Sequence, residues 1–298
     1  MNKNLIVKIS QGLGNQLFMY SNAYALSKKI GYNLLIDNTS SYYKNKDQYR
    51  NFLLDKFDLD LNIAEKKFKR DNFFLNSKFK YLKIIDYYKK KKSFIIENKN
   101  KKKITSYSPI NNINNFSNTV FIEGFFESEK YFLNVKNELQ KKIIVKDSYI
   151  NNSNKFISLL KNTNSVSICV RQHRYSEGKT KSILKSNDFT KITIDYILRS
   201  VNFIKTKIEN PKFFVWSNDF TNLKNYFTDD FIFIDNNENK FLNDFNLFKY
   251  SKHFIIGPTT FHWWGAWLNT NDEKICIRPK NINNTNNINY WPDDWISL

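Results

Sequence analysis

The first forty residues constrain this chain most. Residues 5–10 are apolar enough for a buried strand, and the glycine turn Gln11-Gly12-Leu13-Gly14-Asn15-Gln16 follows. Leu17, Tyr20, Tyr24 and Ser27 then recur at helical spacing, with Phe18, Ala25 and Leu26 widening the face, until Gly31 can stop the helix. Residues 33–37 read as a second strand. Strand, glycine turn, helix, strand is the opening of a parallel α/β sheet, because parallel neighbours need a crossover and a helix supplies one.

The alternation continues. Residues 120–123 form a short strand ahead of Gly124-Phe125-Phe126-Glu127, residues 128–145 suit a helix, and the polar stretch 147–155 suits a hinge. Strands are expected at 165–170, 213–217, 231–234, 254–256 and 275–278, with helices over 188–208 and 244–250. A chain of 298 residues is long for one core. The expected architecture is two Rossmann-type α/β domains, 1–150 and 151–298, facing a central crevice. The stretch 37–105, with lysine clusters at 89–92 and 101–103, reads as solvated helix faces and loops, or as a surface that approaches anionic lipid or a charged acceptor.

The formal charge of +19 admits anionic partners, although a chain crowded with Asn, Lys, Ile, Phe and Tyr can owe much of its lysine to A/T-rich codons. No arginine-rich stripe, zinc spacing or nucleic-acid module accompanies the charge, so no nucleic-acid partner is expected. The two cysteines, Cys169 and Cys276, each sit in an apolar strand-like run and read as buried free thiols of a reducing compartment. No signal peptide precedes the strand near Leu5, and no apolar run approaches the roughly 20 residues of a membrane span. The expectation is a cytoplasmic protein that can touch the inner face of a membrane through its lysines.

Three segments can carry chemistry. Gly12-x-Gly14 at a strand end lets backbone amides approach an anion, and the amides of Asn15 and Gln16 can bond sugar hydroxyls. As a dinucleotide fingerprint the turn lacks its third glycine, since Leu17 stands there; Asp37 near the acidic position keeps an NAD-dependent oxidoreductase open. The second segment, Cys169-Val170-Arg171-Gln172-His173-Arg174-Tyr175-Ser176-Glu177, delivers two arginines at a strand's C-terminal end, and Arg171 and Arg174 suit a diphosphate. The third segment ends a strand with Gly257-Pro258 and places Thr259 and Thr260 at a helix N-terminus, ahead of Phe261 and three tryptophans. Asp58-Leu59-Asp60 matches the pattern of manganese-dependent glycosyltransferases, but among 28 acidic residues such a triplet arises readily by chance, and no metal is expected.

These segments together resemble the α-1,2-fucosyltransferase family (glycosyltransferase family 11). Gln11-Gly12-Leu13-Gly14-Asn15-Gln16-Leu17-Phe18 is similar to that family's opening Gly-Gly-Leu-Gly-Asn-Gln-Leu-Phe. Thr259-Thr260-Phe261-His262-Trp263-Trp264-Gly265-Ala266-Trp267-Leu268 resembles Ser-Thr-Phe-Ser-Trp-Trp-Gly-Ala-Trp-Leu. Arg50-Asn51-Phe52, Gly124-Phe125-Phe126 and Trp216-Ser217-Asn218-Asp219 resemble further landmarks. The second segment departs from the family's His-x-Arg-Arg-x-Asp-Tyr. Cys169 replaces the histidine, Gln172 the second arginine and Arg174 the aspartate, while Arg171 and Tyr175 are kept.

The resemblance implies a GT-B-like fold and metal-independent, inverting transfer of fucose from GDP-fucose to a galactose 2-hydroxyl, with no cofactor. The acceptor would be a glycan, which can be lipid-linked. It further implies that Arg171, Thr259, Thr260 and Phe261 meet the donor, that Asp244 meets guanosine, and that Gly12, Gly14, Asn15 and Gln16 shape the site near donor and acceptor; Arg174, which departs from the pattern, is assigned to the donor on its charge beside Arg171. Glu177 is the nearest carboxylate for a general base, with His173 and His262 as alternatives. The altered second segment also leaves open a binding protein that kept the fold and lost the chemistry.

Overall fold

The computed structural model describes residues 3–42, 50–97, 106–110, 113–151, 155–175, 182–235, 240–281 and 287–298. Two units divide the chain: Met1–Ile144 with Thr285–Pro292, and Val145–Asn284 with Asp293–Leu298. The boundary thus precedes the residue 150 expected from sequence, and a late segment expected in the second domain returns to the first. Specific bonds hold that return. The Asn287 amide donates to the Glu127 carbonyl at 3.0 Å, the Tyr107 N–H donates to Asn289 Oδ1 at 2.9 Å, and the Tyr290 ring lies 6.2 Å from Phe18.

In the first unit, β1 (Asn4–Lys8), β2 (Asn33–Asp37), β3 (Lys92–Ile96) and β4 (Phe116–Glu123) form an all-parallel sheet in the order β2-β1-β4-β3. Helix α1 (Leu13–Ile30) connects β1 to β2 and is buried over most of its circumference. It ends on Gly31, whose φ of 67° is the left-handed conformation that glycine adopts without a Cβ clash. Helix α2 (Phe73–Asp86) and β3 lie where the sequence showed only solvated helix faces and loops. The helix expected over 128–145 is broken into two short 3-10 turns and α3 (Lys136–Lys142). Phe132 interrupts it: fully buried, with φ of −140°, it packs 6.0 Å from Phe18.

The open end of this sheet carries a buried charge cluster. Glu123, the last residue of β4, meets Arg70 at 2.5 Å, Lys83 at 2.8 Å and Lys8 at 3.4 Å. Burial alone raises a carboxyl, but the cations, Arg70 foremost, outweigh it and hold Glu123 at about 2. Its stabilisation is therefore full above the unfolded value of 4.5 and is lost as pH falls toward 2. Glu123→Gln leaves three cations without their shared partner and is expected to cost about 2–3 kcal/mol, discounted because two of the lysines reach water. Urea midpoints at pH 7 read this directly; an unchanged midpoint would show the cluster to be neutral.

The second unit contains α4 (Lys155–Asn162), β5 (Asn164–Val170), α5 (Ile183–Lys205), β6 (Pro211–Ser217), β7 (Phe231–Phe233), α6 (Lys240–Phe248), β8 (His253–Ile255), α7 (Thr260–Leu268), β9 (Cys276–Arg278) and β10 (Ile296–Ser297). Its six-stranded parallel sheet runs β10-β9-β8-β5-β6-β7. Central strand β5 is buried on both faces, with serines as well as apolar side chains covered. Val166, Ile168 and Val170 pack with Ile194, Ile197 and Val201 of α5. The alternate residues Ser165, Ser167 and Cys169 face the other way and are buried as well. Both cysteines are free thiols. No helix among the described residues is long and apolar enough to cross a membrane.

Candidate active site

The strand order of the second sheet reverses at β5. Strands β6 and β7 follow on one side and β8 to β10 on the other. Chains leaving β5 and β8 therefore diverge, and the crevice at their C-terminal ends is where open α/β sheets bind ligands.

Gly257 presses the two exits together. A Cβ added there would lie 2.0 Å from the Cys169 carbonyl oxygen, so only glycine lets the chain leave β8 this close to β5. The sequence reading treated Gly257 merely as a strand end. Thr259 caps α7, its hydroxyl accepting the His262 N–H at 3.2 Å. The amides of Thr260 and Phe261 have no acceptor among the described residues and form the anion-attracting start of the helix.

Cys169 shows which residues meet here. Burial, then the Asp244 carboxylate, pushes its thiol up to about 12, against opposing effects of the Arg171 guanidinium and a hydrogen bond with Thr259. Thr259 thus bonds this buried thiol, and the charges of Arg171 and Asp244 lie near enough to act on it. Asp244 lies on α6 with 7% of its surface exposed. Arg171 is half-buried just beyond β5.

Other expected contacts have different tasks. Gln172 stands at the place of the family's second arginine. Its amide donates to the carbonyls of Asp219 at 2.7 Å and Thr221 at 3.0 Å, and its N–H donates to Asn218 Oδ1 at 2.8 Å. It ties the exit of β5 to the exit of β6. Arg174, expected at the diphosphate, lies over the Phe189 ring at 5.2 Å and the Tyr175 ring at 6.0 Å, on the α5 side. Phe261 packs on Phe245 and Phe248 at 5.4 and 5.6 Å, joining α7 to α6. Trp263, Trp264 and Trp267 are buried and pack on one another. Gly265 lets α6 cross close by, since a Cβ there would meet Phe248 at 2.4 Å.

His262 is excluded as a base. Its Nδ1 accepts the Gly257 N–H at 3.1 Å, so Nε2 carries the hydrogen and donates to Ser167 Oγ at 2.9 Å. Burial pushes its pKa down to about 3, so it stays neutral. Below pH about 6.5 the unfolded chain takes up a proton that the folded chain refuses, and stability falls with pH by about 1.4 kcal/mol per unit from this residue. Urea midpoints between pH 7 and 5 should show this slope, and His262→Ser should flatten it by one proton; an identical slope would contradict it.

His173 is exposed, adopts a φ of 56° and shares a 2.7 Å hydrogen bond with Asp219. Bonds from the Thr221 hydroxyl and N–H, and then from His173, hold the Asp219 carboxyl at about 2. Glu177 lies outside the described residues, as does the lysine cluster at 101–103.

The first unit carries its own glycine turn after β1. Gln11, where the family motif has glycine, adopts a φ of 67°, the conformation that motif glycine would take without strain. Its side-chain carbonyl accepts from Arg50 at 3.0 Å. Gln16, expected to bond sugar, is fully buried. Its amide donates to the carbonyls of Gln11 and Asn51 at 2.8 Å each, and its Oε1 accepts the Leu53 N–H at 2.9 Å. It holds the turn against the loop at 50–53, so its effect on a ligand is indirect. Gly12, at the helix start, has φ of −77° and nothing within 4 Å of an added Cβ; the space beside it is open. Gly14 is buried in the first turn of α1 and Asn15 is half-buried. Glu97, which sequence reading missed, accepts the N–H groups of Phe125 at 2.7 Å and Phe126 at 3.0 Å, fixing the loop after β4. A lone glutamate far from that loop in sequence gives no signal of this.

The alternatives also find places. Asp37 is buried and accepts the N–H groups of Thr39 and Ser40, which leaves it in a turn rather than at a ribose. Asp60 is exposed and paired with Lys142 at 3.0 Å.

Solved structures share this fold at low identity. The NodZ α-1,6-fucosyltransferase soaked with GDP-fucose matches with a TM-score of 0.54 and 12% identity, over 90% of this chain and 93% of that one; the enzyme is from Bradyrhizobium. A variant of Arabidopsis thaliana FUT1 in complex with GDP matches with a TM-score of 0.53 and 12% identity, over 94% of this chain and 71% of that one. The fold is accordingly GT-B-like, with two α/β units. Among curated relatives, an Escherichia coli alpha-1,2-colitosyltransferase is 30% identical over 99% of this chain and 98% of its own length. The Escherichia coli O-antigen biosynthesis glycosyltransferase WbnK is 25% identical over 97% and 99%. The profile of glycosyl transferase family 11 matches residues 2–297, and the chain belongs to that family.

Proposed function

We propose that this glycosyltransferase moves L-fucose, with inversion, from GDP-β-L-fucose to the 2-hydroxyl of a galactose in a glycan acceptor. The observation that carries this reading is positional: Arg171, one residue beyond β5, and the Thr259 cap of α7 leave neighbouring strands at the reversal point of the second sheet, where Gly257 brings the two exits together. The leaving group is a nucleoside diphosphate whose β-phosphate gains charge as the glycosidic bond breaks. Arg171 and the open amides at the start of α7 supply preorganised positive potential for that charge. That assigns neutralisation to the protein rather than to a metal ion. The Asp244 carboxylate suits guanine, whose N1–H and amino group are adjacent donors. Thr260 lies at the same helix start, and Arg174, packed against Phe189 of α5, and Phe261 of α7, packed against Phe245 of α6, support the site.

The second unit is thus the donor side. The first unit, with the open space at Gly12 and the half-buried Asn15, is the acceptor side in this reading. The acceptor proton passes to a base on the segment after β5. Glu177 is our assignment, with His173, already oriented by Asp219, as the competitor. Near-normal turnover in Glu177→Gln, with loss in His173→Gln, would transfer the role. WbnK's name supports a setting in surface-polysaccharide synthesis.

A second donor is favoured by one observation, the 30% identity to a colitosyltransferase. Colitose is fucose without its 3-hydroxyl. A site that hydrogen-bonds that hydroxyl discriminates by orders of magnitude, whereas one that does not takes both sugars. Competition between GDP-fucose and GDP-colitose for one acceptor decides: a preference for fucose supports the proposal, and a strong preference for colitose replaces it.

A further inference from the structure

Helix α2 presents two unlike faces. Its inner face closes over the first sheet, with the Phe79 ring 4.9 Å from Phe121 and Lys83 paired to Glu123. Its outer face should be polar if water were its only neighbour. Instead, Phe73, Phe74, Tyr81 and Ile84, with Tyr87 and Tyr88 in the turn that follows, are 76, 78, 63, 64, 79 and 82% exposed. Phe74, Tyr81, Ile84 and Tyr88 follow helical spacing and line one side.

Lysines frame this stripe. Lys78 and Lys80 flank it, and Lys89, Lys90 and Lys91 close its end, all exposed. None of the five is in an ion pair among the described residues. Asp86 is the one acidic residue between Phe73 and Lys92. It is buried, and its carboxylate accepts the N–H groups of Ser93 and Phe94. The exposed charge of residues 73–92 is therefore entirely positive.

We propose that this face docks on an anionic lipid bilayer. The aromatic rings enter the headgroup boundary, where a ring with one apolar side and one polar edge is at home, and the lysine ammonium groups meet lipid phosphates. A helix of 14 residues is about 21 Å long, and one face of it is already committed to the sheet, so it lies on the surface rather than crossing it. A second copy of this chain would set five unpaired lysines against five more, which disfavours a symmetric dimer through this face. Phosphate contacts alone would explain nucleic-acid binding through the lysines but would leave the rings without a role.

The test is cosedimentation of the full chain with phosphatidylglycerol–phosphatidylcholine vesicles and with pure phosphatidylcholine vesicles. Binding to the anionic vesicles is expected, at least about tenfold above the neutral ones. Replacing Lys89, Lys90 and Lys91 together by glutamine should weaken it about a hundredfold. The triple change Phe74→Ser, Tyr81→Ser, Tyr88→Ser should weaken it too, with melting temperature unchanged because all these side chains are exposed. Three results overturn the proposal: no anionic-vesicle binding, binding untouched by the serine changes, or a dimer in solution that those changes dissociate. None of these readouts depends on sugar transfer, so the outcome is separate from that of the proposed reaction.

Discussion

Gly257→Ala is expected to destabilise the second unit by about 4 kcal/mol, lowering its melting temperature by roughly 10 °C, and to remove activity. The cause is space rather than backbone conformation. The new Cβ would sit 2.0 Å from the Cys169 carbonyl oxygen, and that oxygen belongs to the central strand of the sheet, flanked by β6 and β8. A flexible side chain could swing away; this backbone can yield only by parting β5 from the exit of β8. That shift would move Arg171 away from the Thr259 cap. Gly12→Ala is the matched control. Its φ of −77° suits alanine and its Cβ would meet nothing within 4 Å, so stability should change by only a few tenths of a kcal/mol. Any activity lost at Gly12 therefore reports on ligand, whereas loss at Gly257 reports on the fold. Equal melting temperatures for wild type and Gly257→Ala would contradict the close approach described above.

Arg171→Ala should lower kcat about 10²–10³-fold with little change in melting temperature. The proposed function assigns this side chain to charge that develops on the leaving diphosphate, so its loss weighs on the transition state more than on donor binding. Arg171→Lys should recover part of the rate, because an ammonium keeps the charge but not the bidentate fork. Arg174→Ala should cost far less, since that guanidinium is spent over Phe189 and Tyr175. Steady-state kinetics with varied GDP-fucose separate these cases. A raised KM with unchanged kcat in Arg171→Ala would assign the residue to ground-state binding instead.

These positions show what the sequence makes legible. Strand β2 falls on the residues read from the pattern, and β5 differs by one residue, because each is a short stretch of β-branched and apolar residues with marked ends. Helix α2 was hidden because its outer face is as aromatic as its inner one, which erases the periodicity a half-buried helix normally displays. The broken helix after β4 failed for a local reason, the burial of Phe132 in a non-helical conformation.

Around the exits of β5 and β8, the strand-end glycine and the threonine cap were visible because each feature follows from local geometry. The side chains of Gln16 and Arg174 are engaged within the protein, since an amide or guanidinium that can serve a ligand serves a backbone carbonyl or an aromatic ring equally well. Nothing local distinguishes the two uses. The role of Glu97 depends on a loop almost thirty residues away, and only the fold brings them together.

The most direct measurement is GDP release from GDP-fucose with a panel of galactose-ended acceptors in the presence of EDTA, with the product's linkage read by NMR. Acceptor-dependent release that survives EDTA, yielding fucose on the galactose 2-hydroxyl, is the predicted result. Tight GDP binding without release across that panel would contradict it, and would mark the chain as one that kept the nucleotide site and lost the transfer.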